Sequence, residues 1–239
     1  MEFRVDGGHG GVSQWRMPRH ARIDLPGLPA HVCIRSVNGM PILTTDLERN
    51  VFLKYLRMAR EGLDFKVHAF VFMTNHVHML VTAGSKGVMA EVMQSLMIRY
   101  ARFFNAAHDR RGPLLQGRFW SSPIESEGYF YWTMRYIELN PVRAGMVLLP
   151  EDFPWSSYLH NTGAAHRLEI VFHDQYLRLG STPAERAREW AAFVRQGINA
   201  DDLDRMRRRF RRNRPLGSDD FERRFKPDPE RGTGIGDGS

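Results

Sequence analysis

Cysteine is almost missing from this chain. With Cys33 as the only one in 239 residues, no internal disulfide can form, and a reducing compartment is the fitting environment. Cys33 lies in the apolar run "AHVCIR" and reads as a small core residue. Long hydrophobic runs are missing too: none approaches the roughly 20 residues that a membrane span requires. The stretch "MEFRVDGGHGGVSQWRMPRH" lacks the apolar segment of a signal peptide, so a cytoplasmic protein without membrane attachment is expected. There is no GxxxxGK[ST] loop, which argues against phosphate-loop nucleotide hydrolysis. Acidic residues are in the minority, 27 against 34 Lys and Arg, giving a formal charge of +7 and a pI near 9.9. That imbalance favours an anionic partner, nucleic acid above all.

What is present suffices for a sizeable core, with 42% hydrophobic and 11% aromatic residues. "AHVCIRSVN" reads as a strand closed by the turn "NGMP". A helix follows in "TTDLERNVFLKYLRMARE", capped by Thr45 or Asp46. "FKVHAFVFM" and "HVHMLVTA" form two β-rich runs joined through "TN", the pattern of an antiparallel hairpin. "GVMAEVMQSLMIRYARFFNAAHDR" is a long second helix, "GRFWSSPIES" a further strand, and "EGYFYWTMRYIELNPVRAG" a third helix expected to stop before Pro141. The order βαββαβα predicts an α+β fold: a ferredoxin-like antiparallel sheet with helices on one face, leaving the other open for a site. Residues 17–150 are expected to form this domain, 151–225 a helical basic extension, and 1–16 and 226–239 disordered tails.

Two histidines interrupt the strand "HVHMLVTA". In a strand, residues i and i+2 share a face, so His76 and His78 project together while Val77 and Met79 point away. The pair suits two metal ligands, and equally suits two hydrogen-bonded, half-buried imidazoles; taken alone it leaves both readings open. His68 has no such partner and reads as structural or exposed. In "RYIELNPVRAG", Tyr136 and Asn140 stand four apart on one helical face. Together they would offer a nucleophile beside an amide oxygen, although a core tyrosine and a helix-stopping asparagine would look the same.

The ordered combination "NHVHMLV" and then "YIELNPVRAG", with "QGRFWSSPIES" and "WSSY", resembles the single-tyrosine HUH transposases and most closely the REP-associated tyrosine transposases. The resemblance covers roughly Met17 to Tyr158, with a weaker echo in "RPLGSDDF". It implies that His76, His78 and Asn140 hold a divalent metal, Mg2+ or Mn2+, and that Tyr136 is the catalytic nucleophile. It further implies a single-stranded or hairpin DNA target, a palindrome with a short flanking tetranucleotide. Two imidazoles with an amide oxygen suit Mn2+ better than Mg2+, which prefers all-oxygen shells. The expected chemistry is nicking and strand transfer through a 5′-phosphotyrosine link, with no need of ATP; the expected assembly is a monomer or homodimer. A hairpin-binding protein without turnover and an unrelated metal hydrolase are the competing readings.

Tyr100 in "SLMIRYARFFN" is the rival nucleophile, but its stripe with Leu96, Phe103 and Phe104 places it in the core. For the DNA backbone the candidates are Arg99, Arg102, Arg110, Arg111, Arg118, Arg135 and Arg143 around the site. The run "RMRRRFRRNR" adds Arg207, Arg208, Arg209, Arg211 and Arg212, with Phe210 among them. That run lies far from the catalytic segments in sequence and is expected to act in capture, leaving the chemical step untouched.

Overall fold

A computed structural model of the protein describes residues 23–125, 128–164 and 168–225. The tails expected at 1–16 and 226–239 lie outside these residues. Four strands, β1 (Ala30–Arg35), β2 (Phe65–Phe72), β3 (His76–Ala83) and β4 (Trp120–Pro123), form one antiparallel sheet in the order β2-β3-β1-β4. Helix α1 (Asp46–Arg60) links β1 to β2, and α2 (Val88–Ala107) links β3 to β4. This is the expected ferredoxin-like arrangement.

Local chemistry sets the element ends. Thr45 accepts from the Glu48 amide while the Glu48 carboxylate reaches back to the Thr45 amide, satisfying donors that the first turn of α1 cannot pair internally. The β2–β3 connection is Met73–Asn75, one residue longer than expected, because the Thr74 carbonyl accepts from the amides of Ile42 and Leu43. His68 sits at a register shift in β2. It is structural and buried: Nδ1 donates to the Val171 carbonyl at 2.7 Å, and Nε2 lies 2.9 Å from Thr82 Oγ1.

Period-two alternation divides the sheet. Phe72 opposes Val77, and both face the layer of α1 and α2, where the rings of Phe72, Phe52 and Tyr100 meet edge to face. Tyr100 is buried there, its hydroxyl donating to the Ile42 carbonyl, and burial pushes its phenol well up. The rival nucleophile therefore lies across the sheet from His78.

The other face is not left open. Helix α3 (Gly128–Glu138) crosses it, with Phe130 against His68 and Tyr136 against His78. Helix α3 stops at Glu138, before Pro141 as expected; after Leu139 the chain resumes for one turn as α4 (Asn140–Arg143). Proline is tolerated because it falls in the first turn of α4, where an amide would lack a partner anyway.

Beyond it come α5 (Tyr158–Asn161), α6 (Asp174–Leu177), α7 (Pro183–Arg195), α8 (Ala200–Arg211) and α9 (Asp219–Arg224). Their apolar side chains, among them Tyr158, Tyr176, Trp190, Val194, Met206 and Phe210, join the same core as the sheet, as does Leu216 between α8 and α9. Asn213 Oδ1 accepts from the Ser121 amide, and Leu216 exchanges backbone hydrogen bonds with Pro123 and Glu125, so the segment after α8 lies along β4.

Candidate active site

The sheet, α3, α4 and α8 converge on a cleft of about 520 Å3 on the α3 face of the sheet. The sheet contributes His31, Cys33 and Arg35 from β1, His76 and His78 from β3, and Trp120 from β4. Helices α3 and α4 bring Tyr136 and Asn140, and α8 brings Arg207, Phe210 and Arg211, with Gln116 from the loop before β4. The four residues singled out for catalysis thus line one cleft. Three of its lining side chains are arginines and, among the described residues, none is a carboxylate. Such a lining selects for an anion.

The geometry of the two strand histidines follows from register. Their rings stand edge to face with centroids 4.9 Å apart. Asn75 Nδ2 donates to the Gly39 carbonyl at 3.1 Å, which turns Oδ1 toward His76 Nδ1 at 2.6 Å. An amide oxygen only accepts, so His76 carries its proton on Nδ1 and keeps the Nε2 lone pair. Burial and the Arg35 charge, opposed by a weaker hydrogen bond from the ring to Asn140, bring the His76 pKa down to about 4. Burial and the neighbouring imidazoles hold His78 well below the usual range. Both are neutral near pH 7, the form that ligates a metal.

Tyr136 is nearly buried, with His78 at 5.8 Å and Phe210 at 5.2 Å between ring centroids. Arg143 lies 4.5 Å over its ring and donates to its carbonyl at 2.7 Å. Burial raises the phenol pKa, and the Arg143 charge opposes that rise. The helix end carrying Tyr136 and Asn140 is anchored by Glu138, whose buried carboxylate accepts from Ser157, Asn161 and Trp190 at 2.5, 2.6 and 2.8 Å. Burial, opposed by these bonds, lifts the Glu138 pKa to about 7.

The residues present suit a divalent cation. Neutral imidazoles at His76 and His78, the Asn140 amide one helical turn from Tyr136, and a roomy cleft supply three neutral donors with space for further oxygen ligands. Among the described residues no group of three or more His, Cys, Asp or Glu stands together for a metal.

The predicted arginines separate into groups. Arg207 and Arg211 line the cleft. Arg143 is mostly buried beside Tyr136, and Arg118 is exposed in the loop between Gln116 and Trp120. Arg212 is exposed at the end of α8. Arg135 is elsewhere: it is buried, stacks 4.1 Å over Phe193 and joins α3 to α7. Arg99 and Arg102 are exposed on α2, across the sheet from the cleft. Arg208 pairs with Asp204, and Arg209 with Glu222, ion pairs that tie α8 within itself and to α9.

Sequence reasoning missed His31, Arg35, Gln116 and Trp120. A signal existed for the first two: His31, Cys33 and Arg35 alternate with Ala30, Val32 and Ile34, the period of a strand with one polar face. Cys33 is buried as expected, but it borders the cleft, and burial pushes its thiol up to about 12.

Residues 25–143, from the turn before β1 to the end of α4, match the family model for IS200-like transposases. The chain belongs to the IS200-like transposase family. Its fold is similar to that of a REP-associated tyrosine transposase solved bound to a REP hairpin, with a TM-score of 0.51 at 18% identity, covering 66% of this chain and 96% of that one. Weaker similarity reaches a Deinococcus radiodurans protein described as a transposase, with a TM-score of 0.35, 19% identity and coverage of 56% and 96%. It also reaches a bacterial tRNA(His) guanylyltransferase-like protein in complex with GTP, with a TM-score of 0.35, 14% identity and coverage of 56% and 74%. No curated protein matches the chain. Among the described residues no helix is long and apolar enough to cross a membrane.

Proposed function

We propose that this IS200-like transposase is a metal-dependent single-strand DNA nickase and strand transferase acting on hairpin DNA. The supporting observation is the cleft itself, in which Tyr136, two neutral histidines and Asn140 line one space with three arginines and, among the described residues, no carboxylate. A divalent cation held by His76, His78 and Asn140 would supply positive charge to the non-bridging oxygens of the scissile phosphate.

This chain's residues do the rest. Arg207, Arg211 and Arg35 hold the phosphate backbone in the cleft. The Tyr136 hydroxyl loses its proton, its oxygen bonds to phosphorus, and the bond from phosphorus to the 3′ oxygen breaks, the leaving oxygen taking up a proton. Attack by a second 3′ hydroxyl reverses the step onto another strand, so the bond energy stays in the phosphotyrosine. Arg143, over the Tyr136 ring, favours the phenolate against burial.

The test is covalent capture. A 5′-labelled strand and a 3′-labelled strand of the same hairpin oligonucleotide are incubated with protein and Mn2+ and denatured. Label from the strand segment 3′ of the nick should migrate with the protein, and label from the segment 5′ of it should not. Binding without attachment would point instead to a hairpin-binding protein, and cleavage without attachment to a hydrolase that uses water.

A further inference from the structure

His31 has no part in the assignment above, yet it is among the most enclosed polar side chains of the protein, at 1% exposure in the middle of the sheet. It lies diagonally across from His78 in the β1–β3 register, on the same face, with Nε2 2.9 Å from His78 Nδ1. The two rings are stacked with centroids 4.9 Å apart, and Phe210 of α8 stacks on the far side of His31 at 3.8 Å. Phe210, His31, His78 and His76 therefore stand in a row from the C-terminal helix to the mouth of the cleft. Burying an imidazole without need costs free energy, and an apolar residue would fill the position between Phe210 and the sheet.

We propose that His31 is a positioning residue that fixes the tautomer and ring orientation of His78. In this arrangement His78 Nδ1–H donates to His31 Nε2, which directs the His78 Nε2 lone pair into the cleft. The precedent lies one residue before the pair, where Asn75 Oδ1 takes the Nδ1 proton of His76 and leaves its Nε2 free. Each histidine thus has an acceptor behind it, one from the preceding loop and one from the neighbouring strand. Outer partners of this kind set ligand orientation and basicity, and their loss typically weakens metal binding by about 10- to 100-fold. Phe210 holds His31 from behind, which gives α8 a place in the metal site without touching a ligand.

This inference rests on His76 and His78 being metal ligands, and the experiment separates the two ideas. Mn2+ binding to the full-length protein is measured by calorimetry for wild type, His31→Phe and His31→Gln. Phenylalanine keeps the stack on Phe210 and removes the acceptor, and glutamine returns an acceptor oxygen. His31→Phe should bind Mn2+ at least about 10-fold more weakly, with His31→Gln recovering most of the loss. If the wild type binds no Mn2+, the ligand assignment fails; if it binds and His31→Phe binds equally well, the positioning role fails. A measurement on the unaltered protein guards against a variant that folds poorly. Long-range 1H–15N spectra of the metal-free wild type should show His78 protonated on Nδ1, and a proton on Nε2 instead would overturn the proposal.

Discussion

Removing residues 199–239 tests whether the basic C-terminal segment captures DNA or builds the site. From sequence alone it is a detachable charged helix, but four of its side chains are core: Met206 is 1% exposed, Phe210 6%, Leu216 0% and Phe221 8%. At about 1.5–3 kcal/mol for each buried side chain, less a fraction already buried in the unfolded chain, their removal costs about 5–10 kcal/mol. That is comparable with the whole stability of an ordinary domain. Edge strand β4 would also lose the hydrogen bond that its Ser121 amide donates to Asn213 and the one that its Pro123 carbonyl accepts from Leu216. Thermal unfolding followed by circular dichroism should therefore drop by at least about 10 °C, with single-turnover cleavage lost. The control is the double variant Arg207→Ala, Arg211→Ala, which changes two exposed side chains and should melt within a few degrees of wild type. A truncated protein that melts within about 3 °C of the full chain and still cleaves at its rate would refute the argument.

Tyr136→Phe keeps every ring contact and should leave melting temperature and hairpin affinity nearly unchanged while covalent capture disappears; continued nicking would transfer the role elsewhere. His76→Ala or His78→Ala should abolish cleavage and Mn2+ binding together, while Asn140→Ala should be milder because water replaces a neutral ligand, and cleavage persisting in excess EDTA would contradict the site. Arg207→Ala with Arg211→Ala should lower the slope of log affinity against log salt by up to about two, since each phosphate contact contributes about one, and an unchanged slope would show that they do not touch the backbone. Burial brings the His68 pKa from 6.5 down to about 4, so its contribution to stability is complete above pH 6.5 and is lost as pH falls toward 4. The loss amounts to about 3 kcal/mol, and denaturant melts of His68→Gln against wild type should show a flatter pH dependence by about that much; parallel curves would refute the assignment.

Much of the cleft lining was legible because its geometry is local. Alternation along one strand places His76 and His78 on a common face, and four-residue spacing brings Tyr136 and Asn140 together on one side of a helical path. The stop of α3 before Pro141 was legible in the same way, while the separate turn of α4 that carries Asn140 was not. The succession of elements likewise implied the sheet order, because a hairpin between two crossover helices has few ways to pack.

Other features depended on which segments meet. His31 is separated from His78 by 47 positions and becomes its hydrogen-bond partner only through strand register. The arginine run of α8 carries no local mark of its orientation. Packing of Met206 and Phe210 into the core turns Arg207 and Arg211 toward the cleft, and Glu222 draws Arg205 and Arg209 to the other side. Arg135 looked like its neighbours in sequence until the ring of Phe193 claimed it. The sequence by itself determined the fold class and singled out four residues that line one cleft, because backbone periodicity acts over a few residues. Tertiary structure alone decided which charges line the cleft and what stands behind His76 and His78, because burial and register are set by the whole chain.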